Sequence, residues 1–133
     1  MQTVGIDIGT TTISGVVLEK NGTQKARILE VKTIKNGSFL TTANDWERIQ
    51  DAENIVKKSR QMLDDFLDEY PEVEKIGLTG QMHGMLYVDA SGRAVSPLYT
   101  WQDGSGNEKY NETSTYAQVL RKKVGTAATG YGM

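Results

Sequence analysis

The opening thirty-five or so residues constrain the fold more than any other part of the chain. Val4, Ile6 and Ile8 alternate with Gly5, Asp7 and Gly9, the period of a half-buried strand. Gly9-Thr10-Thr11-Thr12 then reads as a turn, and residues 13–19 as a second strand rich in Val and Ile. Lys20-Asn21-Gly22-Thr23 predicts a tight hairpin, because Asn-Gly accepts positive φ at both central positions. Residues 26–34 form a third strand, with Ile28, Val31 and Ile34 as apolar points, closed by Asn36-Gly37. A chain that starts this way opens as an antiparallel three-strand meander.

Asn44 and Glu47 have the spacing of a reciprocal helix cap. Trp46, Ile49, Val56, Leu63, Phe66 and Tyr70 follow as one stripe of an amphipathic helix over 45–70, and Pro71 forbids its continuation. Residues 75–79 read as a short buried strand running into the loop Gly80-Gln81-Met82-His83-Gly84. Residues 85–89 and 94–99 read as a hairpin, and 107–123 as a helix. Residues 125–133 are small and Gly-rich, without a capping or stopping signal. A meander followed by alternating helices and strands indicates a mixed α/β layer fold with a mixed sheet.

Composition narrows the chemistry. The 133 residues suffice for one domain and contain no cysteine, so disulfide scaffolds, zinc ribbons, iron–sulfur sites and thiol nucleophiles are excluded. With His83 as the sole histidine, a two-His zinc motif cannot be built. A net charge of −2 leaves no electrostatic footprint for nucleic acid. No apolar run approaches the roughly 18 to 20 residues that span a bilayer, and the start lacks a basic leader region. A cytoplasmic protein without a membrane partner is the expectation. Glycosylation sequons at Asn21, Asn36 and Asn111 read as turn residues.

Two constellations carry chemistry. In the first, Asp7 stands at a strand end before the turn of Gly9, Thr10, Thr11 and Thr12. Such a turn offers backbone N–H groups and hydroxyls to phosphate oxygens, and Gly9 lets a ligand approach the backbone. A carboxylate beside phosphate is repulsive, at about 4 kcal/mol per unit-charge pair ~4 Å apart at an effective dielectric near 20. Mg²⁺ reverses that sign, because it takes one or two carboxylates together with phosphates and waters. There is no Gly-Lys-Ser/Thr, so this is not a P-loop; an ordinary polar hairpin turn is the competing reading. In the second, Gln81, Met82 and His83 precede Trp101, Gln102 and Asp103 by some twenty residues. These side chains suit a polyol, with donors and acceptors for hydroxyls and a flat ring for the C–H face; core packing and a structural histidine are the competing readings.

Gly5-Ile6-Asp7-Ile8-Gly9-Thr10-Thr11 resembles the first phosphate motif of the sugar-kinase, actin and heat-shock ATPase superfamily. Leu78-Thr79-Gly80-Gln81-Met82-His83-Gly84 is similar to the substrate loop of the FGGY carbohydrate kinases, xylulokinase-like members especially. Tyr99-Thr100-Trp101-Gln102-Asp103-Gly104 resembles the corresponding segment of sedoheptulokinases. The resemblance implies a ribonuclease-H-like fold of the actin and sugar-kinase type, α/β with a mixed sheet. Residues 1–133 would be the N-terminal part of the first kinase domain. It further implies that Asp7 holds Mg²⁺ through water, that Gly9, Thr10, Thr11 and Thr12 line the β/γ-phosphate turn for ATP, and that Gln81, Met82 and His83 face the sugar. Trp101 and Asp103 would complete that pocket. The implied reaction transfers the γ-phosphoryl group of ATP to a primary hydroxyl of a ketose, sedoheptulose or xylulose first. No catalytic residue is assigned within this chain; the base is expected beyond it, and the isolated chain is expected to be inactive. The resemblance also allows a homodimer. Many members carry a basic residue two positions after the third hydroxyl residue of the turn, where this chain has Ser14. The alternatives are a non-catalytic binding or structural module that retains the actin-like ATPase fold, and an actin-like ATPase without a sugar, against which the Gln81-Met82-His83 loop speaks.

Overall fold

Val4, Ile6 and Ile8 point to one side of β1 (Gln2–Ile8) and begin the hydrophobic core. A computed structural model describes residues 1–124; the reading of 125–133 lies outside the described residues. β1 pairs antiparallel with β2 (Thr12–Glu19), and β2 pairs antiparallel with β3 (Arg27–Lys35), so the predicted meander forms. The link from β2 to β3 is not the tight two-residue turn predicted. It is a seven-residue loop over residues 20–26, in which Gly22 takes positive φ and Asn21 does not. The Gln24 N–H to Asn21 carbonyl bond closes a wider turn, so Asn-Gly marks the bend without setting its length.

The helix starts later than its stripe predicts. Residues 44–47 make an isolated turn, in which Asn44 does bond Glu47, and Ile49–Gln50 form the short strand β4. Helix α1 runs over Ala52–Glu69 and buries Ile55, Met62 and Phe66. Leu63 packs partly buried on the core, and Tyr70 continues it past the helix end, where Pro71 follows. Val56 is 57% exposed, so it lies off the buried face. Trp46 and Ile49 are not in the helix; their fit to its spacing is coincidental.

α1 packs on β1 and β2. There the core closes, with Ile13 and Val17 of β2 joining Val4, Ile6, Met62 and Phe66. The approach is set by Gly15: a Cβ there would stand 2.4 Å from the Phe66 ring and 2.9 Å from Met62 Sδ. Lys32 of β3 and Asp65 of α1 form an ion pair across the helix–sheet boundary. Hydrogen bonds from Lys32 and then Gln61 hold the Asp65 carboxyl below the usual carboxylate range.

β5 (Val73–Gly80) adds parallel to β1, giving the order β3-β2-β1-β5 in a mixed sheet. The sequence predicts a buried strand here, and the structure corrects this. Ile76 and Leu78 are in register with Val4 and Ile6 yet stay 48% and 69% exposed, because α1 covers β1 and β2 and β5 is the edge.

Two compact units result. The first comprises Met1–Ser38 and Ala52–Gln81; the second comprises Phe39–Asp51 and the described residues from Met82 onward. In the second unit, β4 pairs antiparallel with β6 (Leu98–Tyr99). The predicted 85–99 hairpin is present, but only as bridges at Met85 with Tyr99 and Val88 with Ala94. Between them the Tyr87 N–H bonds the Ser96 hydroxyl and Pro97 has no N–H to give, so no continuous ladder forms. The helix predicted over 107–123 shrinks to a 3₁₀ turn at Ser105–Asn107 and α2 at Tyr116–Val124. Asn111 Oδ1 accepts from the Thr113 N–H and hydroxyl, a local turn that competes with helix. Thr115 and Gln118 then bond each other's backbone N–H groups reciprocally, a capping box that starts α2.

Gly15→Ala should destabilise the first unit by about 1 to 3 kcal/mol, the usual cost of overpacking a filled core. Urea denaturation reads this directly, and Phe66→Leu in the same chain should recover part of the loss. An unchanged midpoint for the single variant would show that α1 is not seated as tightly as described.

Candidate functional site

The turn after β1 is built by its own backbone. Gly9 N–H donates to the Thr12 carbonyl at 2.9 Å, and a Cβ on Gly9 would stand 2.9 Å from that oxygen. Glycine is thus required by the turn before any ligand is considered. Thr11 and Thr12 are exposed at its apex. Asp7 lies just before it, exposed on the sheet face away from the Val4–Ile6 side, across from Ser14 of β2 and Thr79 of β5. Apart from its place in the strand ladders, Asp7 has no partner for its carboxylate among the described residues. It borders a shallow depression of about 400 Å³ whose lining includes Gly5, Ser14, Gly77 and Thr79. Ser14 shares a hydrogen bond with Thr33 at 3.0 Å.

Two residues from elsewhere hold the turn. Asn36 is fully buried. Its Nδ2 donates to the Gly9 carbonyl at 2.8 Å and its N–H to the Thr11 carbonyl at 2.9 Å. Sequence reasoning treats Asn36 as a bare turn residue; its partners lie 27 and 25 positions earlier, beyond any local pattern. On the other side, the Thr10 hydroxyl donates to Gln81 Oε1 at 2.8 Å, and the Gln81 N–H donates to the Ile8 carbonyl at 2.9 Å. Gln81, expected at the sugar, is therefore engaged with the turn.

No group of three or more His, Cys, Asp or Glu able to hold a metal occurs among the described residues. A lone, unpaired carboxylate beside an exposed hydroxyl turn fits Mg²⁺ that arrives with phosphate oxygens and water, and does not fit a metal caged by protein.

In the second unit a cavity of about 430 Å³ brings His83 and Asp103 together with Tyr99, Tyr110, Tyr116 and Lys123. Met82 and Trp101 do not line it; they are 73% and 37% exposed. His83 has φ +59°, the sole non-glycine residue at positive φ among those described. Such a conformation costs on the order of 1 to 2 kcal/mol, and strain of this kind concentrates at functional sites. Asp103 is buried. Its Oδ2 accepts from the Arg48 N–H at 2.9 Å, and its Oδ1 from the Ser105 N–H at 3.0 Å and from the Ser105 hydroxyl. Thr100, also buried, bonds the Arg48 carbonyl through both its N–H and its hydroxyl. The segment carrying Trp101 is thereby pinned to Arg48, the residue before β4.

A meander with a hydroxyl turn after an acidic strand end, a parallel fourth strand and a helix on one face defines a ribonuclease-H-like fold. The chain belongs to the FGGY family of carbohydrate kinases: its residues 2–132 match that family's N-terminal domain. It is 30% identical over 152 residues to a sedoheptulokinase of Mus musculus, covering 98% of this chain and 31% of that protein. It is 31% identical over 101 residues to a xylulose kinase of Escherichia coli, covering 76% of this chain and 20% of that one. The chain thus spans less than a third of the length of these curated relatives. In fold it is similar to the crystal structure of xylulose kinase from Rhodospirillum rubrum, with a TM-score of 0.70 and 20% identity over 93% of this chain and 24% of that one.

Asp103→Ala should lower stability by about 1 to 3 kcal/mol for each buried donor left unpaired. Amide exchange at Arg48 and Ser105 should accelerate with it. Slow exchange at both sites in the variant would show that Asp103 does not hold this segment.

Proposed function

We propose that this chain supplies the phosphate turn and part of the sugar pocket of an ATP-dependent ketose kinase, as the N-terminal part of its first domain. The single observation that carries the reading is the exposed, unpaired Asp7 beside a turn clamped by Asn36 and Gln81. Family membership supports ATP as phosphoryl donor with Mg²⁺, and the sedoheptulokinase and xylulose kinase relatives support a ketose as acceptor. Mg²⁺, when bound, would neutralise charge on the transferring phosphoryl group. Asp7 would hold it through water, and Gly9, Thr10, Thr11 and Thr12 would orient the phosphates. His83 would bond sugar hydroxyls and Asp103 would keep the pocket wall in place, whereas Met82 and Trp101 lie outside the lining of that cavity. Phosphoryl transfer needs charge stabilisation from several parts at once, so this chain alone should show no turnover.

In the full-length enzyme, Asp7→Asn should lower kcat strongly with a modest change in sugar KM. His83→Ala should lower kcat/KM for the sugar by roughly ten- to a hundredfold, a decade being ~1.4 kcal/mol, and leave ATP affinity nearly unchanged. His83→Gly should lose as much sugar kinetics without unfolding, because glycine accepts positive φ freely. Steady-state kinetics on sedoheptulose, xylulose and glycerol, with a thermal melt of each variant, decide the matter. Turnover of glycerol alone, or loss of nucleotide rather than sugar binding in the His83 variants, would reject the assignment.

A further inference from the structure

We propose that Gln81 is a positioning residue for the phosphate turn, acting through the Thr10 hydroxyl; this rests on the sugar-kinase reading above. The parallel register places Ile8 beside Gly80, so β1 and β5 end together. Glycine at 80 permits this, since a Cβ there would stand 3.0 Å from the Ile8 carbonyl oxygen. Gln81, the next residue, is fixed by its N–H to the Ile8 carbonyl, and its Oε1 takes the Thr10 hydroxyl proton at 2.8 Å. That bond is partly buried and joins residues 71 positions apart.

Two consequences follow for the chemistry. The Thr10 hydroxyl proton is directed at Gln81, so Thr10 presents oxygen lone pairs, and not that proton, to a ligand in the turn. Donors to phosphate then come from the turn's other groups. The turn is also gripped from both flanks, by Asn36 on Gly9 and Thr11 and by Gln81 on Thr10. Its shape is set before a ligand arrives, which is how a phosphate site avoids reorganising during transfer. Gln81 is joined by one peptide bond to Met82, where the chain enters the second unit. A residue that the motif would assign to the sugar thus serves the nucleotide side.

A double-mutant cycle on the full-length enzyme tests this. Thr10→Val and Gln81→Leu should each raise the KM for MgATP or lower kcat by about tenfold, and move the sugar KM by less than about threefold, the scale expected of one lost hydrogen bond. The double variant should match either single variant, and Thr10→Ser, which keeps the hydroxyl, should recover most of what Thr10→Val loses. Losses that multiply in the double variant, or a Gln81→Leu effect confined to sugar KM, would overturn the proposal. If the wild-type enzyme phosphorylates no ketose or polyol, the sugar-kinase reading fails by itself. The positioning role is then decided on the 133-residue chain by the amide chemical shifts of Gly9 and Thr11. Both variants must displace these shifts alike; shifts confined to Gln81 and its chain neighbours would refute it.

Discussion

The contact of Phe66 and Met62 with the bare backbone of Gly15 is the constraint on which the first unit depends. It brings α1 down onto β2 with no side chain between them, and so seals Val4, Ile6, Ile13 and Val17 in one core. Burying a large apolar side chain contributes about 1.5 to 3 kcal/mol. Because the core lies on one face, the opposite face of β1 is left for Asp7, and the two ends of the first hairpin stay fixed while the turn between them stays open.

Much of this was legible in the residues, and the failures have physical causes. The alternation in β1 reports burial on one face, and the structure agrees. Trp46 and Ile49 fit the helical stripe but belong to the other unit, because spacing does not record where a helix begins. The signal for α2 was present as Thr115-x-x-Gln118, yet the expected start at Asn107 falls nine residues before Tyr116. Leu78 reads as buried since β-branched and aliphatic residues flank it, but burial also needs a neighbour on that side, and α1 stops short of the edge. Family motifs named the turn and the His83 loop. They did not show that Asn36 and Gln81 clamp the turn, because hydrogen bonds between residues 27 and 71 positions apart leave no periodic trace.

The two candidate ligand surfaces use opposite strategies. The turn after β1 takes unstrained backbone and is locked from outside by side-chain amides. The cavity in the second unit places its histidine in a strained conformation and relies on a buried carboxylate, Asp103, to secure the segment across from it. A preformed cradle suits a ligand with fixed tetrahedral geometry, whereas a strained histidine among tyrosines suits a ligand whose hydroxyls must be met one by one.

Asn36 also heads the sequence Asn36-Gly37-Ser38, which oligosaccharyltransferases accept. In the folded chain its amide is wholly enclosed and spent on the Gly9 carbonyl. A sugar tree attached there during synthesis could not be enclosed with it, so the clamped turn and a glycan at this position are mutually exclusive. Passage through a eukaryotic secretory route would trap the protein with its cradle undone, whereas synthesis in a bacterial host or in the cytosol of a eukaryote would leave it whole. The choice of expression host is thereby written into one buried side chain.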